Sequence, residues 1–292
     1  MAYVDEEIAS QPESWLRAAA LAGEVAPALP RPGERVAAVG CGTSWFMAMA
    51  YASLRETAGA GETDAFAGSE FPLNRAYDRI VAITRSGTTT EILDLMRATD
   101  IPVTAIVGDP DSPAVGLADS AIVMPWADER SVVQTRFATS ALALLRAHLG
   151  EDLTAAVEAA RITVDAELPL KPGDIEQVTF VGRGWTNGLA QEAALKCREA
   201  ATFWTEAYPA MDFRHGPISI AAPGRAVWAF GLVPPGLQED VEATGAQFVH
   251  GGDRDPMADL ILAQRFAVAL AQHRGLNPDE PRNLTRSVIL EP

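Results

Sequence analysis

The sequence predicts an α/β protein made of two tandem, doubly wound parallel-sheet halves, the second of them smaller. Short apolar runs alternate with helix-forming segments, which is typical of parallel sheets covered by helices on both faces. A strand, a glycine turn and a helix follow one another at Gly40-Cys41-Gly42 and again at Gly182-Arg183-Gly184, which indicates an internal duplication. Leu168–Pro172 separates the two patterns as a short connector.

Size and composition are those of an ordinary globular protein. The chain has 292 residues, 48% of them hydrophobic, which is enough to bury one large core or two smaller ones. Its formal net charge of −16 disfavours nucleic acid and anionic membranes as partners. No apolar run has membrane-spanning length, and the N-terminus lacks a signal-peptide pattern. Cys41 and Cys197 are the only cysteines, so we expect no structural disulfide and a cytoplasmic location.

The predicted domain order is an N-terminal helical segment, 1–30, a first domain, 31–168, and a second domain with the C-terminal tail, 169–292. Pro30 ends the N-terminal segment. The predicted strands of the first domain are 36–39, 64–68, 79–83, 103–107 and 121–124. Its predicted helices are 44–55, 92–97, 129–148 and 151–168.

The glycine turn after the first strand has the outline of an anion-binding site. Thr43 and Ser44 follow Gly40-Cys41-Gly42 at the positions of helix N-cap hydroxyls. A plain helix cap explains the same residues equally well. Trp45 stands where a dinucleotide-binding turn requires glycine, and no Gly-Lys-Ser/Thr occurs, so neither nucleotide-binding motif is present.

Hydroxyl side chains are concentrated where the third strand ends. Five of the seven residues 84–90 carry one, namely Thr84, Ser86, Thr88, Thr89 and Thr90. A single helix cap needs one hydroxyl, whereas several hydroxyls and free helix N–H groups suit the oxygens of a phosphate. Ligands of doubly wound sheets bind beyond the carboxyl ends of the strands, and we expect Ser44, Ser86 and Glu199 there.

The second domain is predicted to have strands at 178–181, 226–231 and 247–250 and helices at 189–203, 236–244 and 257–274. Glu192, Lys196 and Glu199 share one face of its first helix, and His215 follows in a Gly/Pro turn. By themselves these residues describe a surface helix with one ion pair and an ordinary loop histidine. The polar residues 280–288 by themselves describe a frayed C-terminus. The four histidines are scattered, so no metal site is expected.

These landmarks occur together in one order that covers nearly the whole chain after residue 30. They are Gly40-Cys41-Gly42-Thr43-Ser44, Ser69-Glu70-Phe71, Arg85-Ser86-Gly87-Thr88-Thr89, Gly182-Arg183-Gly184, Glu192-Ala193-Ala194-Leu195-Lys196, Glu199, Glu206-Ala207-Tyr208, His215-Gly216-Pro217 and Pro281-Arg282-Asn283-Leu284. The set resembles the sugar isomerase (SIS) family. The likeness is to the isomerase half of glucosamine-6-phosphate synthase and to the shorter aminosugar-phosphate deaminases and isomerases.

The resemblance implies flavodoxin-like halves and a role for each motif, with no cofactor. Glu199 would be the base that moves a proton between C1 and C2, and Lys196 would steady the charge of the intermediate. His215 would assist ring opening from the neighbouring subunit of a homodimer. The implied substrate- and phosphate-binding residues are Cys41, Gly42, Thr43, Ser44, Thr84, Arg85, Ser86, Thr89, Val132 and Gln134.

The sequence departs from the synthase pattern in three ways, and the second and third point toward the deaminase and isomerase relatives. The chain shows no glutamine-hydrolysing domain and no cysteine after Met1, so we expect no reaction with glutamine. Arg286 stands where the synthases carry a lysine that forms a Schiff base, and arginine does not form that imine. Arg286 could instead hold an anion. Arg85 replaces a glutamine or small polar residue and could add a charged phosphate contact.

The function predicted from these residues is isomerisation of a hexose or amino-hexose 6-phosphate, with or without release of ammonia or an amine. The alternative is a non-catalytic sugar-phosphate sensor or regulator. Such regulators usually carry a helix-turn-helix or another appended domain, which residues 1–30 do not resemble. A ligand that stabilises the protein without turnover would favour the sensor.

Overall fold

The computed structural model describes residues 2–290, and its contacts divide the chain into two compact units. The five-stranded unit comprises Glu13–Arg130, Gln134–Leu153 and Thr285–Pro292. The four-stranded unit comprises Met1–Pro12, Ser131–Val133 and Thr154–Leu284. Within residues 2–290, every helix is too short or too polar to cross a lipid bilayer.

The secondary structure alternates strands and helices, as predicted. The strands are β1 Val36–Gly40, β2 Thr63–Ala67, β3 Arg79–Thr84, β4 Val103–Val107, β5 Ser120–Val123, β6 Gln177–Gly182, β7 Thr205–Pro209, β8 Arg225–Phe230 and β9 Gln247–His250. The α-helices are α1 Tyr3–Ala9, α2 Gln11–Val25, α3 Thr43–Thr57, α4 Thr90–Ala98, α5 Pro113–Leu117, α6 Arg136–His148, α7 Thr154–Thr163, α8 Thr186–Ala201, α9 Leu237–Ala243 and α10 Pro256–His273.

The five-stranded unit is a parallel sheet in the order β2-β1-β3-β4-β5. Every residue of β1 and β4 is buried, because helices cover both faces of the sheet. One face packs against α4 through a cluster that includes Val39, Ile80 and Leu93. This strand order is that of the flavodoxin-like fold, and it reverses between β1 and β3.

The four-stranded unit repeats the arrangement on a smaller scale, with parallel strands in the order β7-β6-β8-β9. Phe180, Trp228 and Phe230 lie within stacking distance of one another, and the rings of Trp228 and Phe230 are 6.3 Å apart at an angle of 11°. The helices α8 and α10 pack against each other, and α7 packs on α10. The predicted α/β fold with two doubly wound halves is therefore confirmed.

The duplicated glycine turns have the same physical basis in both units. A Cβ atom at Gly40 would lie 2.4 Å from the backbone carbon of Ser44, and one at Gly182 would lie 2.2 Å from the backbone oxygen of Thr186. Each strand therefore ends in a glycine so that the next helix can start against it. The second glycine of each turn, Gly42 or Gly184, has a positive φ of 54° or 60°.

The structure corrects several predicted boundaries. The helix predicted at 129–148 begins only at Arg136, and the one predicted at 151–168 ends at Thr163. The edge strand β7 was not predicted at all. The division into 1–30, 31–168 and 169–292 stays a prediction about domains. The contacts group the chain differently, with α1 in the four-stranded unit and the tail from Thr285 onward in the five-stranded unit.

Candidate functional site

In the five-stranded unit, the loops after β1 and β3 emerge where the strand order reverses, which is the usual ligand position of such sheets. Thr43 and Ser44 lie there, buried to 3% and 2% exposure. The prediction that they act as N-cap residues is wrong, since Gly42 is the N-cap of α3 and the two hydroxyl residues lie in its first turn. Ser44 makes no side-chain hydrogen bond with any residue of the described chain.

The loop after β3 brings the predicted hydroxyls together. The hydroxyl and the backbone N–H of Thr88 both donate to Oγ of Ser86, at 3.0 and 3.3 Å. Thr89 is the N-cap residue of α4, and Thr84 is buried at the end of β3. Gly87 has a φ of +59°, and a Cβ atom there would lie 2.0 Å from Oγ of Ser112. The tight turn therefore requires glycine.

Arg85 lies in the same loop but is turned into the protein. Its side chain is 1% exposed, and its guanidinium lies 4.0 Å from the carboxylate of Glu129. It also donates to the backbone oxygen of Arg286 at 3.0 Å. The predicted charged phosphate contact of Arg85 therefore has strong competitors within the unit.

Arg286 is likewise engaged. Its Nη2 atom lies 2.6 and 2.7 Å from the two carboxylate oxygens of Asp128. A further donor of the guanidinium contacts the backbone oxygen of Glu129. The tail is not frayed as the sequence alone suggested, because Thr90 donates its N–H to the oxygen of Val288 at 3.1 Å.

Glu129 is a residue whose role was not predicted. Its carboxylate accepts hydrogen bonds from N–H of Thr135 at 2.6 Å, from the hydroxyl of Thr135 at 2.8 Å and from N–H of Arg136 at 2.7 Å. It thereby caps the N-terminus of α6, where a negative charge is favourable. The available signal was an acidic residue ahead of a helix, but Glu129 lay inside the segment predicted as helix.

Val132 and Gln134 fall in different units. The N–H of Val132 donates to the oxygen of Asp279 at 3.2 Å. The neighbouring Ser131 is fixed by a 2.5 Å hydrogen bond from its hydroxyl to the buried Glu7 of α1. Oε1 of Gln134 is buried and accepts no hydrogen bond from the described residues, so it remains an acceptor.

In the four-stranded unit, α8 carries a buried charge cluster. Nζ of Lys196 lies 2.5 Å from Oε2 of Glu199 and 3.5 Å from Oε1 of Glu192. The side chains of Lys196 and Glu192 are 1% exposed, whereas that of Glu199 is 20% exposed. The cluster is therefore no ordinary surface ion pair, and Glu199 is its one member that reaches solvent.

The position of Glu199 differs from the prediction. The residue lies in the last turn of α8, which begins at the carboxyl end of β6 and returns toward the start of β7. Glu199 is therefore at the opposite end of the helix from the strand's carboxyl end. A small cavity of about 30 Å³, enough for about one water molecule, adjoins it. Thr202, Asn277, Glu280 and Arg282 line the same cavity.

His215 ends a short 3-10 helix, Asp212–His215, and is exposed. Its side chain makes no hydrogen bond or ion pair with Glu199 or any other residue between 2 and 290. Within one chain, the structure therefore does not join the two predicted catalytic residues. No group of three His, Cys, Asp or Glu side chains in the described range is arranged to hold a metal ion.

In the second glycine turn, the side chain of Thr186 is hydrogen-bonded to the backbone. The hydroxyl of Thr186 accepts from N–H of Arg183 at 2.9 Å and lies 2.9 Å from the oxygen of Phe230, to which it can donate. Thr186 corresponds to Ser44, since each approaches the first glycine of its turn. Burial raises the pKa of the Cys41 thiol in the first turn to about 11.

Known proteins resemble this chain in sequence and in fold. A scan against protein-family models finds no match. The chain is 28% identical to the glutamine–fructose-6-phosphate aminotransferase of Methanothermobacter thermautotrophicus over 88% of this chain and 52% of that protein. The corresponding Sulfolobus acidocaldarius enzyme is 27% identical over 88% of this chain and 50% of that one. The chain spans about half the length of these curated relatives.

Solved structures show the same fold. The glucosamine-6-phosphate deaminase of Thermotoga maritima matches with a TM-score of 0.83 and 22% identity over 99% of this chain and all of that one (100%). The tagatose-6-phosphate ketose/aldose isomerase of Escherichia coli matches with a TM-score of 0.80 and 18% identity over 100% of this chain and 97% of that one. The chain thus has the sugar isomerase (SIS) fold and, in sequence, resembles the isomerase half of glutamine–fructose-6-phosphate aminotransferase.

Proposed function

We propose that the chain is a phosphosugar aldose–ketose isomerase or aminosugar-6-phosphate deaminase that acts on a hexose or amino-hexose 6-phosphate. The observation that carries the proposal is the α8 cluster, in which a buried lysine contacts a carboxylate that is open to solvent. Relatives and solved structures named as an isomerising aminotransferase, a deaminase and a ketose/aldose isomerase of phosphosugars support it. Arg286, at the position of the synthases' Schiff-base lysine, favours the deaminase and isomerase relatives over the synthase.

The chemistry needs one base and a stabilised oxyanion. Glu199 removes the C2 proton of the open-chain aldose, the electron pair forms a C1–C2 double bond, and negative charge moves to O1. Return of the proton to C1 and transfer of the O2 proton to O1 give the ketose. When C2 carries an amine, the same step gives an enamine and then a ketimine, which water hydrolyses to the ketose and ammonia.

Lys196 is placed to tune this step. Nζ of its ammonium group lies 2.5 Å from Oε2 of Glu199. As the proton moves onto Glu199, the lysine's charge becomes available to the developing enediolate. The proton transfer needs no metal or cofactor.

The phosphate is held by hydroxyls and helix N–H groups in this proposal. Thr43, Ser44, Ser86 and Thr89 are the ligands at the carboxyl edge of the five-stranded sheet. An anion can bind there despite the net charge of −16, because hydroxyls and backbone dipoles supply the field locally. Val132 and Gln134 are further residues that the resemblance implies for substrate binding.

The proposal includes a cytoplasmic homodimer in which His215 acts from the neighbouring subunit. The exposed position of His215 supports this, because a residue that serves a second copy must reach the surface. Sedimentation of the purified protein tests the dimer. Mixing inactive His215→Ala and Glu199→Gln chains tests the shared site, since only mixed dimers recover one intact site.

The deciding experiment follows proton exchange. Glucosamine 6-phosphate and fructose 6-phosphate are incubated with the protein in D₂O, and deuterium at C1 and C2 is followed by NMR alongside ammonia release. We expect Glu199→Gln to lower turnover by about 10²- to 10⁴-fold while both sugars still raise the melting temperature. Stabilisation of the wild type without exchange would identify a sensor, and neither stabilisation nor exchange would overturn the proposal.

A further inference from the structure

Two positions that depart from the synthase pattern, Arg85 and Arg286, belong to one network in the five-stranded unit. The adjacent acids Asp128 and Glu129 each hold one of these arginines. Arg85 also donates to the backbone oxygen of Arg286 at 3.0 Å, so the two pairs are connected directly. One acidic dipeptide therefore joins the hydroxyl-rich loop to the C-terminal tail.

The charges within this network balance. Two guanidinium groups face two carboxylates, and the Arg85–Glu129 side chains are 1% and 0% exposed. The Arg286–Asp128 pair is half-buried, and Nη2 of Arg286 contacts both oxygens of the carboxylate. The nearest anions of both arginines are thus protein carboxylates.

The network fixes the residues next to it. Immediately after Arg286, the hydroxyl of Ser287 lies 3.2 Å from that of Thr89, and the oxygen of Val288 accepts the N–H of Thr90 at 3.1 Å. The N–H of Leu290 donates to the hydroxyl of Thr90 at 2.9 Å. The tail therefore lies on the first turn of α4, beside the proposed phosphate-binding hydroxyls.

We infer that Arg85, Arg286, Asp128 and Glu129 form a latch that positions the hydroxyl-rich loop and the tail for a sugar phosphate, and that neither arginine is itself the phosphate ligand. The ligand part of this inference rests on the proposed function. Arg286 thus takes over the position of the synthase lysine as an anchor of the tail.

The test compares Asp128→Asn, Arg286→Gln and the exchanged pair Asp128→Arg/Arg286→Asp. Hydrogen exchange of the Thr90 amide reports the latch, and titration with glucosamine 6-phosphate reports its consequence. In both single variants the Thr90 amide should lose its protection from exchange, and the affinity for glucosamine 6-phosphate should fall by about tenfold. The exchanged pair should recover most of both. Arg97→Gln, an exposed arginine on α4, is the matched control and should change neither.

The opposite outcome has a distinct signature. If Arg286 binds phosphate directly, Asp128→Asn frees it and leaves affinity unchanged or higher, while Arg286→Gln weakens affinity and the exchanged pair does not recover. Unchanged Thr90 exchange in both single variants would also overturn the latch. A wild type that binds no sugar phosphate counts against the proposed function alone, since Thr90 exchange still decides on the latch.

Discussion

Nζ of Lys196 lies 2.5 Å from Oε2 of Glu199, although the lysine side chain is 1% exposed and that of the glutamate 20%. The lysine is therefore buried while its partner reaches solvent. A buried ammonium that touches a solvent-accessible carboxylate is a costly arrangement for stability alone, since apolar residues of similar size often serve as well. This cost is one reason to propose a catalytic role for Lys196 and Glu199.

Replacing Lys196 by methionine should destabilise the protein by about 3–5 kcal/mol, because it removes the cation beside the buried carboxylate of Glu192. Urea unfolding measures the change. The double variant Lys196→Met/Glu192→Gln is the control and should recover a substantial part of the loss. Equal stability of the single variant and the wild type would mean that Glu192 is already protonated.

Gly40→Ala and Gly182→Ala should each destabilise the protein by about 2–3 kcal/mol, because the added methyl group overlaps backbone atoms of the following helix. Thermal unfolding checks this. Gly23, in the last turn of α2, has no atom within 4 Å of an added Cβ, so Gly23→Ala should stabilise the protein by about 0.5 kcal/mol. A neutral Gly182→Ala would contradict the equivalence of the two turns.

Glu129→Gln should cost about 3 kcal/mol, because it removes both the charge that caps α6 and the buried counter-ion of Arg85. Chemical denaturation gives the value, and Glu158→Gln on α7, an exposed residue, is the control. The effect should shrink when Arg85 is replaced by glutamine in the same chain. Additive losses would show that the two residues do not act together.

The pKa of Cys41, raised from 9.0 to about 11, predicts slow alkylation at neutral pH. In a Cys197→Ser background, the iodoacetamide rate should rise with pH toward a midpoint near 11. Because the folded state holds the thiol proton more tightly than the unfolded state, the stability that Cys41 contributes is complete below pH 9 and declines as pH rises to 11. Cys41→Ser should remove that decline. A Cys41 thiol that reacts at its full rate at pH 9 would contradict the raised pKa.

The fold could be predicted because apolar runs and glycine turns are local signals. The strand β7 could not, because Thr205–Pro209 is short, half-exposed, ends in proline and pairs only with β6 at the sheet edge. The start of α6 was misplaced because the side chain of Glu129 caps the helix from six residues before Thr135, a contact that helix propensity does not describe.

The residues of the candidate site could be predicted from the sequence, but many of their contacts could not. The contact of Lys196 with Glu192 and Glu199 follows from helical spacing. The engagement of Arg85 and Arg286 with Asp128 and Glu129 does not, because the partners of a charged side chain depend on which distant segments the fold brings together. The docking of the tail on α4 was hidden for the same reason, since it lacks any periodic pattern.

The two glycine turns, alike in backbone, have come to differ through the commitment of a single hydroxyl. The hydroxyl of Thr186 is hydrogen-bonded to the neighbouring main chain, whereas that of Ser44 makes no hydrogen bond with residues 2–290. A protein made of two copies of the first half would thus have two anion-binding turns but no Lys196–Glu199 pair. One made of two copies of the second half would have two such pairs but no uncommitted hydroxyl in its glycine turns. The reaction proposed here therefore depends on the difference between the two halves.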